Sequence, residues 1–289
     1  MARILVTGAS GQLGKEIEVV SKNYFGYEFN FTDIDELDIT DPEKVKTFVK
    51  DFRPDWIINC AAYNFVEKAE NEPEKAVLIN GSAVRNIAAA IRESECKFIH
   101  ISSDYVFNGS STKPYSETDL TDPLSAYGKS KLAGEKYALE FYGTMIIRTS
   151  WLYSAFGENF VKTILKKTAD NNEVKVVFDQ TGTPTYAADL AEAILFIVAG
   201  VIRNQLAFNT GIYHYSNEGV CSWYDFAVEI VREAGIDCMI RPVLSEEFPS
   251  SVTRPSYSVL NKSKIKENYD LVIPHWRESL KKCIEIIQK

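Results

Sequence analysis

The feature that most limits how this chain can fold is an apolar run followed at once by a glycine-rich turn. Residues 4–7 have the composition of a buried strand. The segment GASGQLG then occupies residues 8–14 and runs into a helical pattern over residues 12–21. Strand, tight turn and helix in this order form the phosphate-binding unit of a dinucleotide fold. The start of the chain therefore predicts a cofactor site.

Three glycines in this turn have separate physical tasks. Gly8 allows the tight turn, Gly11 lets backbone approach a pyrophosphate, and Gly14 permits close packing of helix on strand. The N-terminus of the helix, with Gln12 and Leu13, would face the phosphates. We therefore assign these five residues to dinucleotide binding. A turn that only reverses the chain is the alternative interpretation.

Four further apolar runs alternate with helical patterns, at residues 27–31, 56–62, 98–101 and 144–148. Five βα units in succession predict an α/β fold, a Rossmann-like, doubly wound parallel sheet, over residues 1–150. Beyond residue 150 the elements shorten and aromatic residues and prolines increase. We expect a smaller substrate-binding region over residues 151–289. The helical run at 187–201 is expected to return to the sheet.

Residues after the second and third strands are candidates for cofactor contact. Asp33 is placed to bind the ribose hydroxyls of adenosine, and its carboxylate would repel a 2′-phosphate. This favours NADH and leaves NADPH as an option. The alternative is an ordinary aspartate in an acidic loop. Ala61 and Ala62, followed by Tyr63, end the third run, where small residues suit close passage of a cofactor.

Tyr127 and Lys131 form the main candidate for chemistry. They stand four residues apart in the helical pattern 126–141 and would share one helix face. A nearby ammonium favours the phenolate, so Lys131 is expected to bring the Tyr127 pKa down from about 10. Such a pair is a tuned acid or base for carbonyl and alcohol chemistry. Ser103, at the end of the fourth run, can hydrogen-bond the oxygen that Tyr127 protonates.

Composition excludes several other classes of function. Hydrophobic residues make up 45% and charged residues 25%, with a net charge of −8, so nucleic acid and acidic membrane are not expected partners. Five scattered cysteines without a CxxC pair favour reduced thiols and a cytoplasmic location. No signal peptide fits the strand-like start, and the longest apolar run, 193–202, is too short to span a bilayer. Isolated histidines predict no metal site.

The segments TGASGQLG, NCAAYNFVEKAE, SSDYVFNG, YGKSKLAGE and RTSWLY occur in this order. Together they resemble the dTDP-4-dehydrorhamnose reductase family, a group of extended short-chain dehydrogenases/reductases. The similarity is strong over about the first 155 residues and continues at Asn159, Gln180 and Arg254. It implies NADH-dependent reduction of the 4-keto group of dTDP-4-dehydro-L-rhamnose to dTDP-L-rhamnose, a surface-polysaccharide precursor. The implied partner is a dTDP-linked 4-keto-6-deoxy sugar.

The resemblance also implies roles for single residues. Asp38 and Ile39 stand where relatives contact adenine, and Asn80 stands where relatives hold a water of the proton relay. Ser103 occupies a position where the family often has threonine, with Asp104 beside it as a substrate contact. Some members bind Mg²⁺ at a dimer interface through a glutamate at the Glu16 position. That metal, and a homodimer, are left open.

Some assignments have two interpretations at the level of sequence. Trp151 would line a sugar pocket or belong to the core. Arg254 would offer a cation to a diphosphate or be solvated. Two other functions share the same motifs: an epimerase or dehydratase that retains its NAD, and a non-catalytic regulatory subunit such as the methionine adenosyltransferase β-subunit. The intact Ser103, Tyr127 and Lys131 favour an enzyme.

Overall fold

The computed structural model of the chain describes residues 1–247 and 252–289. The strands in these residues are β1 (Ala2–Thr7), β2 (Tyr27–Thr32), β3 (Trp56–Asn59), β4 (Lys97–Ser103), β5 (Thr144–Thr149), β6 (Leu152–Tyr153), β7 (Glu173–Val177), β8 (Thr181–Gly182), β9 (Thr185–Tyr186), β10 (Gly211–His214), β11 (Cys221–Ser222) and β12 (Met239–Val243). The α-helices are α1 (Gln12–Ser21), α2 (Pro42–Phe52), α3 (Val66–Asn71), α4 (Pro73–Val77), α5 (Ala83–Ala90), α6 (Ala126–Leu139), α7 (Phe160–Asp170), α8 (Ala187–Ile202), α9 (Trp223–Ala234), α10 (Ser263–Tyr269) and α11 (Trp276–Ile287).

Six strands form one parallel sheet in the order β10-β5-β4-β3-β1-β2. From β1 the chain first moves outward to β2, then crosses back past β1 to β3 and continues outward through β4 and β5. Every residue of β3 and β5 is buried, because helices cover both faces of the sheet. The predicted α/β, Rossmann-like, doubly wound fold is confirmed.

The two faces of the sheet carry separate apolar layers. Ile4 and Val6 of β1 pack with α1 and α8, whereas Leu5, which points the opposite way, packs with α2, α5 and α6. The helix expected over 187–201 is α8, and it lies beside α1 against the sheet. Strand β10, which has only four residues, extends the sheet beyond β5 and was not predicted.

The carboxyl ends of β1, β3 and β4 meet at one edge of the sheet. Thr7, Asn59 and His100 are aligned in neighbouring strands, and β4 continues to Ser103. The glycine turn, the 60–63 loop and Ser103 therefore emerge together. This edge is where parallel α/β sheets bind ligands.

Residues after β5 build a third apolar cluster, apart from the two layers on the sheet, between α7, α9 and α11. This cluster is centred on Phe226 and Trp276. Two side-chain hydrogen bonds join it to α1. Ser154 Oγ donates to Glu16 Oε1 at 2.6 Å, and Asn159 Nδ2 donates to Gln12 Oε1 at 3.0 Å. Within the described residues, no helix has both the length and the apolar character needed to cross a bilayer.

A π-helical turn, Leu78–Ser82, lies between α4 and α5. This turn packs on α6. A Cβ atom added to Gly134 would lie 2.1 Å from the Asn80 carbonyl oxygen, so only glycine allows this approach of backbone to backbone.

We predict that Gly134→Ala destabilises the protein by about 2 kcal/mol or more, because neither backbone can yield cheaply. Gly81→Ala is the matched control in the same interface, since its Cβ would make an ordinary 3.4 Å contact with Ala133. Urea unfolding of both variants measures the difference. Equal stability of the two variants would contradict the close approach.

Candidate active site

The glycine turn has the geometry of a phosphate cradle. Gly8 has φ +70, and a Cβ there would lie 2.5 Å from the Ala61 amide nitrogen. A Cβ at Gly14 would lie 2.4 Å from the Gly8 carbonyl oxygen. Gly11 precedes α1 without a side-chain cap, which leaves the helix N-terminus to an anionic group. The turn therefore fits a dinucleotide pyrophosphate.

The other residues predicted in this turn differ in their environment. Leu13 is buried in the core, so its side chain supports the helix from inside. Gln12 accepts the hydrogen bond from Asn159 and links the turn to the region after β5. Ala61 and Ala62 are half-buried beside Gly8.

Asp33 follows β2 and braces the glycine turn. Its Oδ2 accepts a hydrogen bond from the Ser10 amide at 2.8 Å, and its Oδ1 accepts one from the Ile34 amide at 2.8 Å. Burial raises the pKa of Asp33, but these hydrogen bonds outweigh it and hold the pKa below its ordinary value. Asp33 is thus a carboxylate at the end of β2, where the adenosine ribose was predicted.

The two residues expected to contact adenine are already engaged within the protein. Asp38 Oδ1 accepts hydrogen bonds from the Thr40 hydroxyl and amide, which lower the pKa of Asp38. The Ile39 side chain is buried in the core with Leu5 and Val45. A role in adenine contact stays a prediction for both.

Tyr127 stands in the first turn of α6, which begins after the N-cap Ser125. It is 8% exposed, and its hydroxyl donates to Asn64 Oδ1 at 3.4 Å. Burial raises the pKa of Tyr127 above its ordinary value, and the nearby Ser103 hydroxyl only partly opposes this. The structure therefore reverses the expected direction of the shift.

Lys131 does not lower the Tyr127 pKa here, because its ammonium group hydrogen-bonds to the sheet instead. Lys131 Nζ donates to the Ile101 carbonyl oxygen of β4 at 2.7 Å. Burial lowers the pKa of Lys131 to about 8, while Glu135 and Cys60 act in the opposite direction. The amine therefore lies between α6 and the sheet edge, and it gives up its proton more readily than an exposed lysine does.

A buried ion pair lies one helical turn beyond Lys131. Glu135 accepts two hydrogen bonds from the Arg148 guanidinium, at 2.8 and 2.7 Å, and one from the Ser102 hydroxyl at 2.5 Å. Both charged side chains are 2% exposed. Ser102 is thus committed to Glu135, which leaves Ser103 as the hydroxyl at the site. The ion pair of Glu135 was not predicted from the sequence, in which its only signal is its spacing from Lys131.

Asn80 lies in the π-helical turn and binds the backbone of the 60–63 loop. Its Oδ1 accepts from the Tyr63 amide at 2.8 Å, while its Nδ2 donates to the Tyr63 carbonyl at 3.0 Å and to Ser130 Oγ at 2.9 Å. Both amide hydrogens are therefore used to join the loop to α6. The predicted water contact remains a prediction.

Asp104 follows Ser103 and is 2% exposed. Ser103 Oγ donates to Asp104 Oδ1 at 2.9 Å. Burial raises the pKa of Asp104 to about 6, against the hydroxyls of Ser103 and Ser258, which lower it. A carboxyl group thus lies beside the Ser103 hydroxyl.

A cavity of about 960 Å³ adjoins this edge on the side of the residues after β5. Arg254 lines it and pairs with Glu67 at 3.0 Å. Trp223 also lines it and stacks on Trp151, with ring centroids 3.6 Å apart. Trp151 has φ +48, a left-handed conformation that is costly for a bulky residue and marks a constrained position. Trp151 thus supports the cavity wall from behind.

Several cavity residues were not foreseen from the sequence. Besides Trp223, they include an aromatic ring and two lysines: Phe160, Lys167 and Lys175. Their only signal was the richness in aromatic residues after residue 150, since distant segments form the wall. Gln180, where the family resemblance continues, lines the cavity as well.

Glu16 lies inside the protein. It is 4% exposed, its carboxylate accepts from Ser154, and burial raises its pKa. In residues 1–247 and 252–289 there is no group of three His, Cys, Asp or Glu side chains suited to a metal ion. Binding of Mg²⁺ through Glu16 at an interface would require this side chain to turn outward.

Comparison with known proteins gives the family. A family model described as the RmlD substrate binding domain matches residues 2–289. The chain belongs to the RmlD family. Its match covers the glycine turn, Tyr127 and the cavity alike, so the regions before and after residue 150 are parts of one family architecture.

Three members show how close the likeness is. The spore coat polysaccharide biosynthesis protein SpsK of Bacillus subtilis (strain 168) is 41% identical over 286 residues, covering 99% of this chain and 98% of SpsK. A dTDP-4-dehydrorhamnose reductase from Clostridium acetobutylicum ATCC 824 is 42% identical with TM-score 0.93, covering 99% and 100%. The Bacillus anthracis str. Ames reductase, solved in complex with NADP, is 38% identical with TM-score 0.90, covering 100% of both chains.

We predict that Glu135→Gln costs about 3–5 kcal/mol of unfolding free energy, because it leaves the Arg148 charge buried without its partner. Glu140→Gln is the control at the end of the same helix, where an exposed pair with Arg92 at 3.8 Å is worth little. Urea titration measures both. A small loss in Glu135→Gln would show that water reaches Arg148.

Proposed function

We propose that this chain reduces the 4-keto group of dTDP-4-dehydro-L-rhamnose to give dTDP-L-rhamnose, with NADH or NADPH as the hydride donor. Membership of the RmlD family supports this reaction, as do the names of relatives with 38–42% identity over nearly the whole chain. The name of SpsK supports a place in polysaccharide synthesis. Free cysteines support a reducing, cytoplasmic setting.

The observation that carries the proposal is the position of the neighbouring Ser103 and Tyr127 hydroxyls at the ligand-binding edge of the sheet. One aromatic ring connects the cavity to this pair of hydroxyls. The charge of Arg254, on the cavity wall, interacts electrostatically with Tyr105. The Tyr105 ring packs edge-on against Tyr127, with ring centroids 5.4 Å apart. A keto sugar bound in the cavity would thus have its oxygen near two hydroxyl groups.

The bound NADH or NADPH supplies a hydride to C4 of the sugar. Negative charge then grows on the C4 oxygen, which Tyr127 protonates while Ser103 hydrogen-bonds it. The raised pKa of Tyr127 keeps its proton in place at neutral pH, as a proton donor requires. Lys131 is proposed to bind the nicotinamide ribose and to lend positive charge when Tyr127 becomes a phenolate.

We propose a division of labour between the two parts of the chain. Residues 1–150 bind the cofactor through the glycine turn, Asp33 and the 60–63 loop. Residues 151–289 bind the sugar nucleotide: Lys167, Lys175 and Arg254 attract its diphosphate, and the Trp151–Trp223 stack gives a rigid apolar wall.

Turnover tests the function directly. The wild-type chain should oxidise NADH or NADPH in the presence of dTDP-4-dehydro-L-rhamnose, with one dTDP-L-rhamnose formed per coenzyme consumed. An epimerase or dehydratase would convert sugar nucleotide without net consumption of coenzyme. A regulatory subunit would bind its ligands without turnover.

Tyr127→Phe should lower kcat by about 10²- to 10⁴-fold, the usual contribution of a positioned general acid. Coenzyme binding, measured by NADH fluorescence, should remain. Lys131→Ala should lower kcat and also weaken coenzyme binding, because its ribose contact is lost. Wild-type turnover by Tyr127→Phe would overturn the acid assignment.

Asp33 should make NADH preferred over NADPH, because a carboxylate repels the 2′-phosphate. Asp33→Ala should relax the preference, measured as the ratio of kcat/KM for the two coenzymes. Asp35→Ala is the control, since Asp35 is an exposed aspartate in the same loop. Equal use of both coenzymes by the wild type would show that this interpretation of Asp33 is wrong.

A further inference from the structure

The Ser103 hydroxyl has more neighbours than it has hydrogens. Its oxygen accepts from the Tyr105 amide at 3.2 Å, and its hydrogen is donated to Asp104 Oδ1 at 2.9 Å. A serine hydroxyl has one hydrogen and two lone pairs. Because that hydrogen goes to Asp104, Ser103 cannot donate to a substrate oxygen in this arrangement. The Tyr127 hydroxyl donates separately, to Asn64 Oδ1 at 3.4 Å.

Asp104 itself is incompletely satisfied. Its Oδ2 is buried with no hydrogen-bond partner in the described part of the chain. A buried carboxylate oxygen without a donor is costly, whereas a neutral acid needs one donor fewer and itself gains an O–H donor. The raised pKa, about 6, agrees with this balance. Both protonation states of Asp104 are thus accessible near neutral pH.

We propose that Asp104 is a positioning residue that sets the direction of the Ser103 hydroxyl. Protonated Asp104 donates to Ser103, and Ser103 then directs its hydrogen to the substrate oxygen. Ionised Asp104 draws that hydrogen to itself. In the first state Ser103 accepts from Asp104 and the Tyr105 amide and donates to substrate, so its bonding capacity is filled. This inference rests on the ketone reduction proposed above.

The groups around Asp104 leave it as the one that changes charge near pH 6. Tyr105 on its own turn and Tyr127 on α6 have pKa values raised by burial, so both stay neutral. Arg254 and Glu67 face Tyr105 from the cavity side and pair with each other. The Ser258 hydroxyl faces the carboxyl from the segment before α10.

The first experiment is the pH profile of kcat/KM for the ketone substrate at saturating coenzyme. For the wild type we expect the rate to fall as pH rises through about 6, because the protonated, productive form of Asp104 is lost. Asp104→Asn keeps an N–H donor toward Ser103 at every pH, so this decline should vanish. Asp122→Asn, an exposed aspartate further along the same loop, is the matched control and should keep it.

A double-mutant cycle tests whether Asp104 acts through Ser103. Ser103→Ala should lower the rate and remove the pH-dependent decline, and adding Asp104→Asn should change neither further. Additive losses in the double variant, or a wild-type profile in Asp104→Asn, would overturn the proposal.

Ser258→Ala provides a variant outside the reacting groups. Its hydroxyl lowers the Asp104 pKa, so its removal should shift the decline upward by a few tenths to about one pH unit. An unmoved profile would contradict the proposal, including in the case that Asp104→Asn does not fold.

Infrared titration of the Asp104 carboxyl separates this inference from the proposed function, because it requires no turnover. The carboxyl band should titrate near pH 6 and move upward in Ser103→Ala, which removes the hydrogen bond to the ionised form. If the wild type has no activity on sugar nucleotides, the reductase assignment fails, and the titration still decides the coupling. A midpoint that Ser103→Ala leaves unchanged would overturn it.

Discussion

The buried contact between α6 and the central sheet is the interaction on which the site depends. Glu135 accepts hydrogen bonds from both Arg148 of β5 and Ser102 of β4. One helical turn earlier, Lys131 donates to the Ile101 carbonyl of β4. Such a buried pair gains little net stability, since desolvation of both charges opposes their attraction. Its effect is geometric: it fixes the rotation of α6 about its axis. That rotation places Tyr127 beside Ser103.

Other polar side chains at this edge also fix the backbone. Asp33 accepts a hydrogen bond from the glycine turn, and the Asn80 side-chain amide hydrogen-bonds to the backbone of Tyr63. Asp33 was predicted as a cofactor contact and Asn80 as the holder of a relay water, and in the structure each holds backbone in position. Ligand binding at a parallel sheet edge needs loops that do not move, because these loops lack the hydrogen bonds of regular structure.

Much of the fold could be predicted because its signals are local. The alternation of apolar runs and helices gave the sheet, the glycine turn gave the cofactor edge, and the spacing of Tyr127 and Lys131 gave their shared helix face. The π-helical turn and β10 escaped prediction because tertiary packing sets them, against Gly134 in one case and β5 in the other. The cavity wall escaped for the same reason, since residues as distant as Phe160 and Trp223 meet there only after folding.

The pKa values at the site show most clearly what a sequence pattern leaves open. The i, i+4 spacing correctly brings Lys131 and Tyr127 onto one helix face, but proximity alone does not fix the sign of the shift. Desolvation raises the pKa of Tyr127 and lowers that of Lys131, and both effects follow from burial under the loops. A tyrosine that holds its proton firmly is a poor base and a ready acid only when charge develops on its partner. In the reduction proposed above, such a tyrosine would give its proton to the nascent alkoxide, because that oxygen becomes strongly basic as the hydride arrives.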